Sequence, residues 1–205
     1  MATATSTRPH VFNLPNQLTA ARLVLGLVLF ALIELRNVFD VWPWCVVVFA
    51  VAAVTDWLDG YFARKQGLVS TLGRNLDPLV DKVVICGAFT FLLTEPRAGL
   101  VPWMVTVVVA RELIITSLRS FLENQGATFG ADWLGKVKMG LQCVALFVIF
   151  AALHVFNSPS WADSAAFLAL ARDVLIYAML AATALSGLQY LSKAAALLRV
   201  NNYSG

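Results

Sequence analysis

Four aspartates, Asp56, Asp59, Asp77 and Asp81, lie within or beside strongly apolar runs of this 205-residue chain. On a helix, a spacing of three puts Asp56 and Asp59 on one face, and a spacing of four does the same for Asp77 and Asp81. The short stretch from Arg64 to Gly73 makes the two helices antiparallel neighbours, so that four carboxylates can converge between two helix ends. An ionised carboxylate at mid-bilayer costs about 2.5–3.5 kcal/mol on insertion scales, and four would cost on the order of 10 kcal/mol. A position near the interface lowers that figure, and repulsion among like charges raises it. Bound divalent cations offset both effects. Oxygen-only ligands select magnesium or manganese, and carboxylates shared between two ions suit two-metal phosphoryl transfer. The plainer alternative is that the aspartates pair with Arg64, Arg74 and Lys82 at a solvated interface. That accounts for any one of them more easily than for all four.

The surrounding residues suit the same chemistry. Gly60 follows Asp59 and Ala63 lies three residues on, which leaves that face nearly bare. A flat base or a pyrophosphate could approach the backbone there, and close packing of a neighbouring helix would use the same small residues. Arg64 could pair with phosphate. Arg111, Arg119, Lys136 and Lys138 gather at the ends of the fourth and fifth apolar runs or in their connection, on the side of the aspartates. So many cations favour a phosphorylated acceptor over a neutral one, although anchoring at lipid headgroups is the plainer use of such side chains. Glu112, beside Arg111, could orient a neighbouring cation.

The elements that must position these groups are membrane helices. The chain is 60% hydrophobic and 13% charged, with a mean hydropathy of +0.76, whereas soluble domains are about a quarter charged. Apolar runs cover 18–35, 42–63, 75–94, 100–121, 134–153 and 172–193, each close to the roughly 20 residues that cross a bilayer core. The expectation is an all-α integral membrane protein, a six-transmembrane-helix bundle forming a single domain over residues 1–205 with a short N-terminal cytoplasmic segment, 1–17. Neither an internal repeat nor a signal peptide is evident. Arg8, Arg22, Arg64, Lys65, Arg74, Lys82, Arg111, Arg119, Lys136, Lys138, Lys193 and Arg199 fall near one face, against Arg36, Arg97 and Arg172 on the other. Positive charge stays cytoplasmic, so both termini and the aspartates are expected there. The net charge of +3 and the lack of a basic stripe exclude nucleic acid as a partner. Cys45, Cys86 and Cys143 each sit in a different apolar run without CxxC spacing and read as small packing residues. His10 and His154, in a terminal tail and on the far side, read as incidental.

The residues Asp56-x2-Asp59-Gly60-x2-Ala63-Arg64-x8-Gly73-x3-Asp77-x3-Asp81 place eight fixed residues over 26 positions. This resembles the signature of the CDP-alcohol phosphotransferase family. The opening Asn13-Leu14-Pro15-Asn16-Gln17-Leu18-Thr19 with Arg22, Ala110-Arg111-Glu112 with Arg119, and Gly135-Lys136-Val137-Lys138 are similar to the phosphatidylglycerophosphate-forming branch, although Met139 stands where that branch leads one to expect a hydroxyl residue. The resemblance implies a homodimeric six-helix bundle of the bacterial cytoplasmic membrane, with a polar cavity open to the cytoplasm and the inner leaflet. It implies two Mg2+ or Mn2+ ions on Asp56, Asp59, Asp77 and Asp81, with Asp81 as the base. It places the CDP-lipid at Gly60, Ala63, Arg64 and Gly73, with Asn16, Thr19 and Ser70 as further nucleotide-side positions. The substrates it implies are CDP-diacylglycerol and glycerol 3-phosphate, the latter held by Arg111, Arg119, Lys136 and Lys138.

Other acceptors remain open within the same chemistry, inositol phosphate and phosphatidylglycerol among them. A cation transporter would distribute acids through the membrane depth, whereas these cluster at one end. A non-catalytic scaffold would have no need of the whole aspartate set.

Overall fold

The computed structural model describes residues 14–66, 71–124, 133–158 and 161–202. Among them the chain is helical throughout: α1 (Leu14–Glu34), α2 (Trp42–Gln66), α3 (Thr71–Leu92), α4 (Pro102–Asn124), α5 (Trp133–Asn157) and α6 (Ala162–Asn202). Single 3-10 turns at Leu35–Asn37 and Pro96–Ala98 shape the connections α1–α2 and α3–α4. Gly99 closes the second of these turns with φ 75°, a left-handed conformation that glycine adopts without steric cost.

The helices follow the expected apolar runs closely, with one exception. The sixth run is expected at 172–193, but α6 begins at Ala162 and extends to Asn202. Residues 164–171, Ser-Ala-Ala-Phe-Leu-Ala-Leu-Ala, are strong helix formers on balance. Arg172 and Asp173, in contact at 2.8 Å, lie inside the helix without interrupting it. At ~1.5 Å per residue α6 is about 60 Å long, twice the ~30 Å hydrocarbon core, so it projects beyond any bilayer it crosses.

Among the described residues, three stretches are long and apolar enough to cross a membrane, Gln17–Asn37, Trp133–Asn157 and Ser164–Ala196, and Trp42–Asp56 is a shorter apolar part of α2. The sequence reading expects six such spans. Among the described residues α4 falls short in composition rather than length, because it carries Arg111, Glu112 and Arg119. The outward surface of α6 presents Leu170, Val174, Tyr177, Leu185 and Leu188, all exposed. Their helical spacing makes one apolar stripe, which water would penalise and acyl chains would not.

The core lies where α5 meets α2 and α6. Trp42 and Phe49 of α2 pack on Phe150 of α5 with ring centroids 6.5 and 6.1 Å apart, and Phe49 meets Phe147 edge-on at 4.8 Å. α1 packs against both α2 and α3. Its approach to α3 is close: a Cβ at Gly26 would sit 2.6 Å from Val84 Cγ2, and one at Gly87 would overlap the Phe30 ring, which itself stacks on Phe91 at 4.9 Å. Small residues let the two backbones draw together by van der Waals packing, the force that remains when lipid replaces water around helices.

One end of the bundle is tied by polar contacts. His154 Nδ1 lies 2.7 Å from Asp40 Oδ2, Arg97 donates to Asn157 at 2.8 Å, and Arg36 donates to the Thr94 carbonyl at 3.2 Å. His154 thus has a structural partner far from the aspartates. The opposite end holds buried charged side chains, Arg22, Glu112 and Lys138 among them.

Candidate active site

α1 brings Arg22 between the carboxylates of two other helices. Arg22 is 3% exposed and reaches Asp56 of α2 at 3.0 Å through one terminal nitrogen and Asp81 of α3 at 2.6 Å through the other. Asp56 and Asp81 are partly exposed, at 41% and 21% of their side chains. A buried guanidinium facing two half-open carboxylates makes a cluster whose negative side faces the cavity. The plainer alternative weighed from the sequence would pair the aspartates with Arg64, Arg74 and Lys82; the described partner of Asp56 and Asp81 is Arg22. Thr19, one helical turn before Arg22, is also buried.

A second charged cluster joins α4, α5 and α6. Glu112 is 6% exposed and receives the Lys138 ammonium, while Arg111 donates to its two oxygens at 3.3 and 3.4 Å. Arg111 also donates to Ser186 Oγ of α6 at 3.0 Å, and its guanidinium lies 5.8 Å from the centre of the Tyr190 ring. Glu112 therefore carries one negative charge against two cations, which leaves the cluster net positive. Lys82 of α3 adds a further cation beside it and donates to Thr116 Oγ1, whose own hydroxyl donates to the Glu112 carbonyl at 2.6 Å.

Two cavities open between these clusters and share a wall. The first is lined by Arg22, Asp56, Asp81 and Cys143 among apolar neighbours, and the second by Asp81, Lys82, Glu112, Lys138 and Gln142. Asp81, Ile85 and Met139 belong to both. Met139, which departs from the resembled pattern, is thus part of the shared wall. Asp81 faces an acidic compartment on one side and a cation-rich one on the other, so a group in either could exchange a proton with it.

Of the expected site residues, Asp56 and Asp81 are brought together through Arg22, and Arg111 and Lys138 through Glu112. Lys138 is buried in that ion pair, not extended toward headgroups. Lys136 is exposed on the other side of α5, and Arg119 is exposed two turns beyond Arg111 on α4. Asn16 falls on α1, Asp59, Gly60, Ala63 and Arg64 on α2, and Gly73 and Asp77 on α3, where the backbone alone is described. Ser70 lies outside the described residues.

The carboxylate oxygens of Asp56 and Asp81 meet at one cavity, and the helix spacing puts Asp59 and Asp77 on the corresponding faces of α2 and α3. The two described carboxylates against one arginine supply the hard oxygen donors that divalent cations take. Gln142 is an addition to the site that the sequence reading did not name, whereas Arg22, Lys82 and Glu112 were named there, Glu112 as a group that could orient a neighbouring cation, which it does for Lys138 and Arg111. The signal for Gln142 was available: it is a polar side chain inside an apolar helix, and such residues face the interior of a bundle.

Residues 12–186 match the model of the CDP-alcohol phosphatidyltransferase family. The chain is 36% identical over 206 residues to the CDP-diacylglycerol–glycerol-3-phosphate 3-phosphatidyltransferase of Bacillus subtilis (strain 168), covering 94% of this chain and 100% of that protein. It is 33% identical over 189 residues to the protein of the same name from Escherichia coli (strain K12), covering 90% and 96%. A third relative, CDP-diacylglycerol–glycerol-3-phosphate 3-phosphatidyltransferase 2 of Arabidopsis thaliana, is 34% identical over 158 residues, covering 69% and 66%.

Proposed function

We propose that this chain, which belongs to the CDP-alcohol phosphatidyltransferase family, transfers a phosphatidyl group from CDP-diacylglycerol to sn-glycerol 3-phosphate and releases CMP. The relatives named for that reaction align with it over nearly their whole length. The observation that carries the reading is Asp81 at the join of an acidic cavity and a cation-rich one.

The acidic side, with Asp56, Asp59, Asp77 and Asp81, holds two Mg2+ or Mn2+ ions. When bound, these ions neutralise pyrophosphate charge and stabilise CMP as the leaving group. Gly60, Ala63, Arg64 and Gly73, with Asn16, Thr19 and Ser70, seat the CDP part. The cation-rich side admits the acceptor, whose phosphate meets Lys138 and Arg111, with Arg119 and Lys136, both exposed, drawing it in. Of these, Lys138 and Arg111 act through their shared Glu112, which spends part of their charge and fixes their positions. The acceptor hydroxyl attacks the phosphorus attached to the lipid. Its new O–P bond forms as the bond from that phosphorus to the CMP oxygen breaks, the electron pair leaves with CMP, and Asp81 takes the hydroxyl proton. A carboxylate is a weak base at neutral pH. Positioning and electrostatics therefore supply most of the rate, as is usual in phosphoryl transfer.

The purified protein is expected to convert CDP-diacylglycerol and glycerol 3-phosphate to phosphatidylglycerophosphate, in preference to inositol phosphate or phosphatidylglycerol as acceptor. Arg119→Ala and Lys136→Ala should raise the KM for glycerol 3-phosphate about tenfold or more, the value of one charge-assisted hydrogen bond to phosphate, and leave the KM for CDP-diacylglycerol nearly unchanged. Preference for another acceptor overturns the assignment. Unchanged KM values for both substrates move the phosphate pocket elsewhere.

The same reading makes all six helices membrane spans, with the cavity and both termini cytoplasmic. The lengths support it: at ~1.5 Å per residue α2, α3 and α4 reach about 33–38 Å, enough for a ~30 Å core. Their charges lie at the end where the two cavities open. Cysteine introduced as Ser70→Cys, in a background lacking the native cysteines, should be labelled from the cytoplasm, and Ser160→Cys from outside. The reverse pattern would put the site on the wrong face for CDP-lipid.

A further inference from the structure

Among the described residues, Gln142 is the one buried amide on the wall of the cation-rich cavity. It sits on α5 one turn after Lys138, on the same face, and is 1% exposed. Its Nε2 has no hydrogen-bond partner in the structure. Beside it the cavity presents Asp81, Lys82, Glu112 and Lys138. The Lys138 ammonium is engaged by Glu112 and Lys82 by Thr116, so each charged group nearby already has a protein partner. The amide does not.

An unpartnered buried N–H costs free energy that a leucine or methionine at this position would not incur. Within an apolar helix such as α5, that cost is met when the amide finds its acceptor. The cavity, about 140 Å³, is on the order of the ~150 Å³ space that accommodates benzene in an engineered core. It suits a small polyol and not a lipid chain. A neutral amide is the natural donor to a hydroxyl oxygen, whereas the cations around it suit the phosphate.

We infer that Gln142 determines acceptor specificity, its carboxamide donating to the hydroxyl of glycerol 3-phosphate that does not attack, the one on C2, while Asp81 takes the proton of the one that does. The inference rests on the acceptor reading above. Both groups line one cavity, so the acceptor would be held at neighbouring hydroxyls, one directed at the base and one fixed by the amide. Sites that hydrogen-bond a substrate hydroxyl reject analogues lacking it, because the site's own polar group is then left unpaired.

The test compares glycerol 3-phosphate with 3-hydroxypropyl phosphate, which lacks the C2 hydroxyl, in the wild-type protein and in Gln142→Met, which keeps the length and volume of the side chain. The wild type should favour glycerol 3-phosphate by about tenfold in kcat/KM, the effect of one net hydrogen bond. Q142M should lose that preference to within about twofold, by a fall on glycerol 3-phosphate alone, with the KM for CDP-diacylglycerol and turnover of the deoxy analogue as internal measures of folding. Equal turnover of the two phosphates by the wild type overturns the inference whatever the variant's stability. So does Q142M that keeps full discrimination, which would mean that water satisfies the amide, or that loses both activities in proportion. A wild type that uses neither phosphate yet releases CMP with another acceptor overturns the acceptor reading itself, and is distinguished by that product.

Discussion

Asp56→Asn, Asp59→Asn and Asp77→Asn are each expected to abolish turnover, by at least about 10²–10³-fold, the loss seen when one preorganised electrostatic partner of a transition state is removed. The structure gives the reason in charge. Arg22 offers a single positive charge to Asp56 and Asp81, and Asp59 and Asp77 stand on the same two helices. The surplus of negative charge is tolerable near the membrane interface when a divalent cation binds, and the same cation is what the pyrophosphate of the substrate requires. Asparagine keeps the shape and one acceptor oxygen but removes the charge that holds the ion. The bundle should still insert, since each substitution relieves repulsion among acids and leaves the aromatic core of α2 and α5 untouched. The measurement is phosphatidyl transfer by the purified variants beside the wild type in excess chelator, then with Mg2+ or Mn2+ restored. Full wild-type activity in chelator would sink the metal assignment, and an active D59N or D77N would remove that residue from the ligand set.

Asp81→Asn is expected to act differently. Binding of CDP-diacylglycerol should remain largely intact while the chemical step falls by about 10²–10⁴-fold, the usual contribution of a positioned base. Asp81 is the acid shared by both cavities, so it can face the acceptor hydroxyl from one side and the pyrophosphate from the other. Asparagine can still accept from Arg22, which keeps α1 and α3 in register, but cannot take a proton. Single-turnover rates together with equilibrium binding of the CDP-lipid separate the two roles. A loss of binding as large as the loss in rate would make Asp81 chiefly a metal ligand, and the base would then have to be sought elsewhere along the shared wall.

The sequence by itself determined that this is a helical membrane protein with one acidic site. Apolar runs of bilayer length leave the backbone no other way to satisfy its hydrogen bonds, and carboxylates inside such runs are too costly to be incidental. Their spacing on two consecutive helices, Asp56 with Asp59 and Asp77 with Asp81, places them on common faces before any tertiary contact is known. Periodicity assigns a face but not the neighbour it meets. That Arg22 closes on Asp56 and Asp81, the latter 59 residues away, was decided by the close approach of α1 to α3 at Gly26 and Gly87. Lys138 was expected at the acceptor phosphate, with headgroup anchoring as the plainer alternative; its burial against Glu112, 26 residues earlier, depends on how α4 and α5 pack. The start of α6 at Ala162 was hidden by Arg172 and Asp173, which end an apolar run without ending the helix. Gln142 was hidden for the opposite reason. A single neutral amide perturbs a hydropathy pattern very little, and only the cavity it lines distinguishes a buried donor with work to do from one more residue of an apolar helix.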